Sequence, residues 1–190
     1  LPITNRIGNE GNIAAQLQSY ATILHHVARN REAIEIFNQA LELAIKNENK
    51  FIESNILGNI TNCYIALKEF VMARFYLNKS ITISTLLGNK QAESSQLAML
   101  AEIEAMTGRL DKAKEVMLKA IEIKTMLADN NELCKLLLNL TNIYLMLDNN
   151  KGAQESANEC LHFSKIIKNE SIAKTINLII EVNNLHYNSP

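Results

Sequence analysis

The sequence predicts an all-α protein built from paired antiparallel helices that stack side by side. Three observations support this prediction. The pattern of residues 55–89 recurs before and after that stretch at an interval of 40 residues. Each interval contains two segments whose apolar residues return at the three-to-four spacing of one helical face. The two prolines are Pro2 and Pro190, so neither interrupts a predicted helix.

Four copies of the pattern align in register, and small residues form their most regular columns. The first column is alanine throughout: Ala33, Ala73, Ala113 and Ala153. The second follows seven positions later: Ala40, Ser80, Ala120 and Cys160. A leucine column lies upstream: Leu17, Leu57, Leu97 and Leu137. Small residues suit positions where a neighbouring helix comes close, so we expect these columns to pack equivalently in every copy.

We call the first helix of each copy A and the second B. The copies are predicted to span residues 10–49, 50–89, 90–129 and 130–169. The A helices are expected near 12–27, 51–67, 91–107 and 131–147, and the B helices near 31–47, 70–87, 110–127 and 150–167. A polar column separates successive copies: Asn49, Asn89, Asp129 and Asn169. Asparagine suits the left-handed residue that ends a helix, and we assign that role to this column.

Both ends of the chain extend the pattern. Residues 7–10 (Ile-Gly-Asn-Glu) match residues 87–90 (Leu-Gly-Asn-Lys), so we expect the chain to open on the tail of an earlier copy. We therefore interpret residues 1–190 as a single domain, a fragment of a longer array. Apolar residues after Asn169 predict a ninth helix near 171–186, which either caps the last copy or is the A helix of a fifth.

Composition and charge restrict the function. The 19 basic and 20 acidic residues are spread along the chain, which disfavours nucleic acid or an anionic membrane as partner. No apolar run approaches the roughly 20 residues of a membrane helix. Three cysteines without C-x-x-C spacing disfavour a disulfide framework or a zinc site, and a reducing, cytoplasmic setting fits them better.

Catalytic and metal-binding patterns are missing from the sequence. His25 and His26 are adjacent and so about 100° apart on a helix, which is a poor arrangement for chelation. There is no Ser/His/Asp set, phosphate-cradling glycine loop or H-E-x-x-H motif. We expect no enzyme activity, no cofactor and no metal.

Two segments resemble the tetratricopeptide repeat (TPR) family. They are L-G-N-I-T-N-C-Y at 57–64, followed by Ala73 and Ser80, and L-L-N-L-T-N-I-Y at 137–144, followed by Ala153. The 40-residue copy is similar to the longer form found in partner-of-inscuteable scaffolds and bacterial peptide receptors. The resemblance implies a right-handed α-α superhelix (TPR solenoid) of about nine antiparallel helices whose A helices line a concave groove. Leu24 and Glu104 depart from the tyrosine of the family pattern.

The groove implied by the resemblance supplies the candidate binding residues. They are Gln18, Thr22, His26, Asn55, Asn59, Asn62, Met99, Glu102, Lys135, Asn139, Asn142 and Met146, with Met106 as a further apolar contact. Asparagine carboxamides can hydrogen-bond the backbone of an extended peptide, and methionines adapt to varied side chains. Alternatively, the asparagines are solvated residues of an Asn-rich chain. Lys135 is the single cation of the set and Glu102 opposes it, which disfavours the family's carboxylate-clamp subclass.

We therefore expect a non-catalytic protein–protein interaction module that binds a peptide or protein segment in its groove, as an adaptor or scaffold. One alternative is a peptide-sensing regulatory domain of a bacterial signalling or transcription regulator. Another is an array that self-associates through its repeat ends, where an uncapped copy exposes an apolar face.

Overall fold

The structure is a computed structural model that describes the backbone of residues 2–183 and the side chains of residues 12–183. Within that range the secondary structure is entirely helical. The helices are α1 (Pro2–His26), α2 (Asn30–Lys46), α3 (Lys50–Ala66), α4 (Phe70–Leu86), α5 (Lys90–Met106), α6 (Leu110–Met126), α7 (Asn130–Met146), α8 (Asn150–Ile166) and α9 (Glu170–Val182). Helices α1, α3, α5 and α7 are the A helices of the four copies, and α2, α4, α6 and α8 are the B helices.

The predicted helix boundaries are confirmed to within one residue from α2 to α8. The predicted start of the first A helix near residue 12 is wrong, because α1 begins at Pro2 and continues through Gly8 and Asn9, which we assigned to the tail of an earlier copy. Nucleating a separate helix in the few residues before Gly8 would be costly, whereas Pro2 suits the first turn of one long helix. The ninth helix ends at Val182, and the predicted residues 184–186 lie outside the described range.

Two compact units make up the chain, residues 1–92 and 93–190. In the first unit α2 packs against both α1 and α3, and α3 packs against α4. In the second unit α7 packs against both α6 and α8, and α8 packs against α9. A hydrogen bond from Ser94 Oγ to the Ala120 carbonyl, 2.8 Å long, joins α5 to α6. The single-domain assignment stays a prediction.

Every helix from α1 to α8 ends in the same turn. The second residue after each helix has a positive φ between 53° and 78°, and six of these eight residues are not glycine. After α6, the Ala128 N–H donates to the Thr125 carbonyl at 3.1 Å and the Asp129 N–H to the Lys124 carbonyl at 3.2 Å. This pair of bonds is the Schellman motif, and it satisfies carbonyls that the helix end would otherwise leave without donors.

The polar column between copies caps the following helix. Each side-chain oxygen accepts a hydrogen bond of 3.1–3.2 Å from the N–H three residues later, at Asn49, Asn89, Asp129 and Asn169. The assignment of these residues to the left-handed position was wrong, because the residue before each of them takes that conformation. Asn and Asp are among the best N-capping residues, which explains why the column is confined to them.

The small-residue columns lie in equivalent, fully buried positions, as predicted. This holds for Ala33, Ala73, Ala113 and Ala153, and for Ala40, Ser80, Ala120 and Cys160. Where A and B cross, Ser80 Oγ donates to the Ser54 carbonyl at 2.8 Å. At the same crossing in the fourth copy, Cys160 Sγ donates to the Cys134 carbonyl at 3.3 Å. The two cysteines are therefore packing residues at a close approach of two backbones.

The two departures from the family's tyrosine are also accommodated in the core. Leu24 is buried and packs with the first copy's apolar cluster. Glu104 is buried too, and its Oε2 accepts a hydrogen bond from Arg109 Nε. Pairing with the guanidinium compensates for removing the Glu104 carboxylate from water.

Both terminal helices expose residues at positions that are buried in the inner copies. Ile23 of α1 is 60% exposed, whereas the residues in its column in later copies are at most 4% exposed: Cys63, Ile103 and Ile143. In α9, Lys174, Asn177 and Glu181 are exposed at positions that are buried in α7 as Cys134, Leu137 and Thr141, and Leu178 and Val182 are exposed beside them. The assignment of α9 as a cap or as the A helix of a fifth copy stays a prediction.

Candidate functional site

A cavity of about 160 Å³ lies between the A helices α5 and α7 in the second unit. Its walls come from two successive copies. The residues that line it are Glu102, Ala105 and Met106 of α5 and Asn139, Asn142, Ile143 and Met146 of α7. The cavity therefore lies on the surface where the sequence predicted ligand contacts.

One polar contact links the two walls of the cavity. Asn139 Nδ2 donates to Glu102 Oε1 at 2.8 Å, between residues 37 positions apart in the chain. Burial raises the pKa of Glu102 from its ordinary value, and the hydrogen bond from Asn139 opposes that rise. The carboxyl is thus held in place by a bond from α7, while Glu102 itself is exposed to solvent.

The apolar walls of the cavity contain two flexible side chains. Met106 and Met146 are both more than half exposed, which is unusual for residues of this size and hydrophobicity. Methionine has three rotatable bonds and a polarisable sulfur, so it can fit differently shaped partners. Exposed methionines that line a cavity are available to a ligand at little cost in reorganisation.

The cavity brings together four of the predicted site residues, which are Glu102, Asn139, Asn142 and Met146. Met99 is half-buried on α5 outside the cavity lining. Lys135 Nζ pairs with Glu132 Oε1 on its own helix at 2.6 Å, and this hydrogen bond raises the pKa of Lys135. The ligand-contacting role of Lys135 stays a prediction.

In the first unit the candidate residues lie on α1 and α3. Thr22 Oγ1 donates to the Gln18 carbonyl at 2.8 Å, so this hydroxyl is satisfied within its own helix. On α3, Asn55 is exposed, and Asn59 and Asn62 are half-buried. His26 is exposed at the end of α1. Whether these residues contact a ligand stays a prediction.

The adjacent histidine has a packing role. His25 Nδ1 lies 2.6 Å from Asn30 Oδ1 and 3.6 Å from Cys63 Sγ, so its ring is tied to α2 and α3. His25 and His26 therefore have different environments. Among the residues that the structure describes, no group of three or more His, Cys, Asp and Glu side chains could hold a metal ion.

Cavity-lining residues that the sequence reasoning missed are Ala105 and Ile143. Ala105 lies three positions after Glu102, and Ile143 lies four positions after Asn139. Residues at these spacings share a helical face. The same spacing rule that selected the asparagines would have identified both.

The cysteines are poor candidates for nucleophiles. Burial raises the pKa of the Cys63 thiol to about 11 and that of Cys160 to about 12. Because the thiolate is the reactive form, both thiols are protonated and inert at neutral pH. Over residues 2–183, none of the helices combines the length and apolar character needed to span a bilayer.

Comparison with known families gives a consistent result. Two family models, both described as tetratricopeptide repeat, match residues 13–85 and 97–125. BBSome complex member BBS4 from Bos taurus is 31% identical to this chain over 134 residues. The match covers 70% of this chain and 22% of the bovine protein, so the chain spans less than a quarter of that relative's length.

Solved structures show the same fold. Aspartyl phosphate phosphatase F from Bacillus subtilis is similar with a TM-score of 0.84 at 12% identity, over 90% of this chain and 45% of the phosphatase. The Rap conjugation gene regulator of plasmid pLS20, in complex with the Phr* peptide, gives a TM-score of 0.72 at 9% identity, over 95% of this chain and 48% of the regulator. The predicted all-α repeat fold is confirmed.

Proposed function

Because the chain belongs to the tetratricopeptide repeat family, we propose that it binds a segment of a partner protein against the α5–α7 surface, as an adaptor or scaffold. The family's fold is typically a protein–protein interaction module rather than a catalytic one. Cytoplasmic location is part of this proposal, supported by three buried cysteines that form no disulfide.

The cavity between α5 and α7 is the observation that carries the proposal. It combines the two kinds of group that peptide recognition needs, amides that can bond a backbone and apolar side chains that can anchor one. The pLS20 regulator, which has the same fold, is complexed with a peptide. That likeness supports the proposal that the bound part of the partner is a peptide segment.

The expected affinity follows from the size of the site. A hydrogen bond makes a net contribution of about 1 kcal/mol to the binding free energy, and burial of a methionine side chain contributes about 1.5–3 kcal/mol. Association costs at least about 4 kcal/mol, so a ligand that contacts this cavity alone binds weakly. A dissociation constant in the micromolar range, about −8 kcal/mol, requires further contacts along the A helices.

The experiment is a binding measurement with peptide libraries and a cavity variant. The double variant Asn142→Ala/Met146→Ala removes one amide and one apolar wall from the cavity. The matched control is Asn131→Ala/Met126→Ala, which alters exposed residues of the same types elsewhere in the unit. We expect at least a tenfold loss of affinity for the cavity variant only, since about 1.4 kcal/mol corresponds to a factor of ten. Equal peptide affinity for both variants would show that the cavity takes no part in binding.

A second candidate function, self-association, is favoured by the outer face of α1. Tyr20 and Ile23 are more than half exposed there. Contact between the α1 faces of two copies would form a closed dimer. Sedimentation should then show a dimer at high concentration that Ile23→Lys abolishes. A monomer at every concentration would exclude this candidate. The predicted regulatory role stays a prediction.

A further inference from the structure

The α5–α7 cavity is chemically asymmetric. Among the described residues that line it, Glu102 alone carries a charge, and the rest are apolar side chains and two amides. A group that fills such a space must combine apolar surface with something that satisfies a carboxylate. Lysine and arginine side chains have this composition, with an aliphatic stem and a cationic tip.

The Glu102 carboxylate retains capacity to accept a ligand donor. A carboxylate offers about four lone-pair sites, and the hydrogen bond from Asn139 Nδ2 occupies one of them on Oε1. The same bond fixes the carboxylate's position from the opposite wall, so it need not be ordered when a ligand binds. Preorganisation of this kind favours recognition, because the entropy cost has been met within the free protein.

The single cation of the predicted site does not compete for this role. Lys135 lies one turn before Asn139 on α7, but its Nζ is 2.6 Å from Glu132 Oε1. Lys135 is also absent from the residues that line the cavity. The negative charge at Glu102 therefore faces the ligand rather than being neutralised by Lys135.

We propose, as a deepening of the proposed function on which it rests, that this cavity selects a lysine or arginine side chain of the bound peptide. Its aliphatic stem packs against Met106 and Met146, and its cation bonds the Glu102 carboxylate. A space of about 160 Å³ corresponds to roughly five water molecules, which suits one such side chain.

Other side chains fit this cavity less well. An acidic residue would be repelled by Glu102. A purely apolar residue would desolvate the carboxylate without supplying a donor, which is unfavourable for a charged group. The choice of ligand side chain is therefore set by charge complementarity more than by shape.

The test uses fluorescence polarisation with four libraries of acetylated, amidated peptides that differ only in a fixed central residue. That residue is lysine, arginine, norleucine or glutamate, and the other positions are randomised. We expect the lysine and arginine libraries to bind about tenfold more tightly than the norleucine library, as for a charge-assisted hydrogen bond in a partly desolvated site. Glu102→Gln should abolish this preference, because the cationic side chains lose their ionic partner and norleucine no longer desolvates a carboxylate. Glu122→Gln, which removes an exposed charge on α6, should leave the preference intact.

The outcomes separate the two proposals. Failure of every library to bind would overturn the proposed function and this inference together. Binding of the lysine and norleucine libraries with equal affinity would overturn this inference alone. A lysine preference that persists in Glu102→Gln would also overturn it, because the cation would then be recognised elsewhere. If unacetylated norleucine peptides bind as tightly as acetylated lysine peptides, the occupant is a peptide amino terminus and the side-chain assignment is wrong.

Discussion

Replacement of Gly152 by alanine is the sharpest test of the packing described above. Gly152 lies in the first turn of α8, and a Cβ there would lie 2.7 Å from Cδ1 and Cε1 of Tyr144. Carbon atoms pack best at about 3.5–4.0 Å, so the ring would have to move by about 1 Å. Such overpacking costs about 1–3 kcal/mol, and the helix preference of alanine over glycine returns at most about 1 kcal/mol. We expect Gly152→Ala to lower the free energy of unfolding by about 1–2 kcal/mol.

A matched control is available at Gly58 on α3, where an added Cβ would meet nothing within 4 Å. Gly58→Ala should therefore raise the free energy of unfolding by about 0.5–1 kcal/mol through helix preference alone. Urea unfolding followed by circular dichroism measures both changes as opposite shifts of the midpoint at constant m. Adding Tyr144→Ala should remove most of the penalty at Gly152, giving a coupling energy of at least about 0.5 kcal/mol. If Gly152→Ala stabilised the protein as Gly58→Ala does, the ring contact would not constrain the packing.

The remaining predictions concern the turns, the caps and the thiols. Ala128→Gly should stabilise the protein by about 0.5–1 kcal/mol in urea unfolding, because Ala128 has a φ of 53°, which glycine adopts without steric cost. An unchanged free energy of unfolding would contradict this prediction. Asn49→Ala should cost about 1 kcal/mol in the same assay by removing the cap bond to the Ile52 N–H, whereas Asn49→Asp should be nearly neutral. Native Cys63 and Cys160 should react with iodoacetamide far more slowly than the urea-unfolded chain, since burial raises the pKa of these thiols to about 11 and about 12. Because the folded-state pKa values of these thiols are raised, their protonated form stabilises the folded protein relative to the unfolded chain. This stabilisation is complete below about pH 9 and declines as pH rises through the folded-state pKa values. Equal native and unfolded alkylation rates would show that the thiols are accessible.

The repeat period made most of the fold predictable from sequence. A column such as Ala33 to Ala153 identifies the buried face in every copy at once. The helices of a copy with a weak pattern can therefore be assigned from a copy with a clear one. The period identifies which residues face a neighbour, but it does not say whether that neighbour exists. Tyr20 belongs to a column that is buried in later copies, and yet it is 51% exposed, because no helix of the described chain precedes α1.

The candidate site was predictable only in part. Helical spacing correctly placed Asn139, Asn142 and Met146 on one face of α7, since that spacing is local. The bond between Asn139 and Glu102 depends on how far α7 is displaced along α5, which sequence periodicity does not encode. Likewise, the pairing of Lys135 with Glu132 was one of several available to a flexible lysine.

The uniform turn has a consequence for how such a chain can change its length. Deleting a single residue within a helix would rotate every later side chain of that helix by about 100° and move its apolar residues off the buried face. Deleting residues 90–129 would instead place Asn130 directly after Asn89, which could cap α7 as Asp129 does. Unequal recombination at these junctions therefore adds or removes whole copies and leaves a capping residue at each new junction. We expect such a sequence to change its number of copies more readily than the length of a helix.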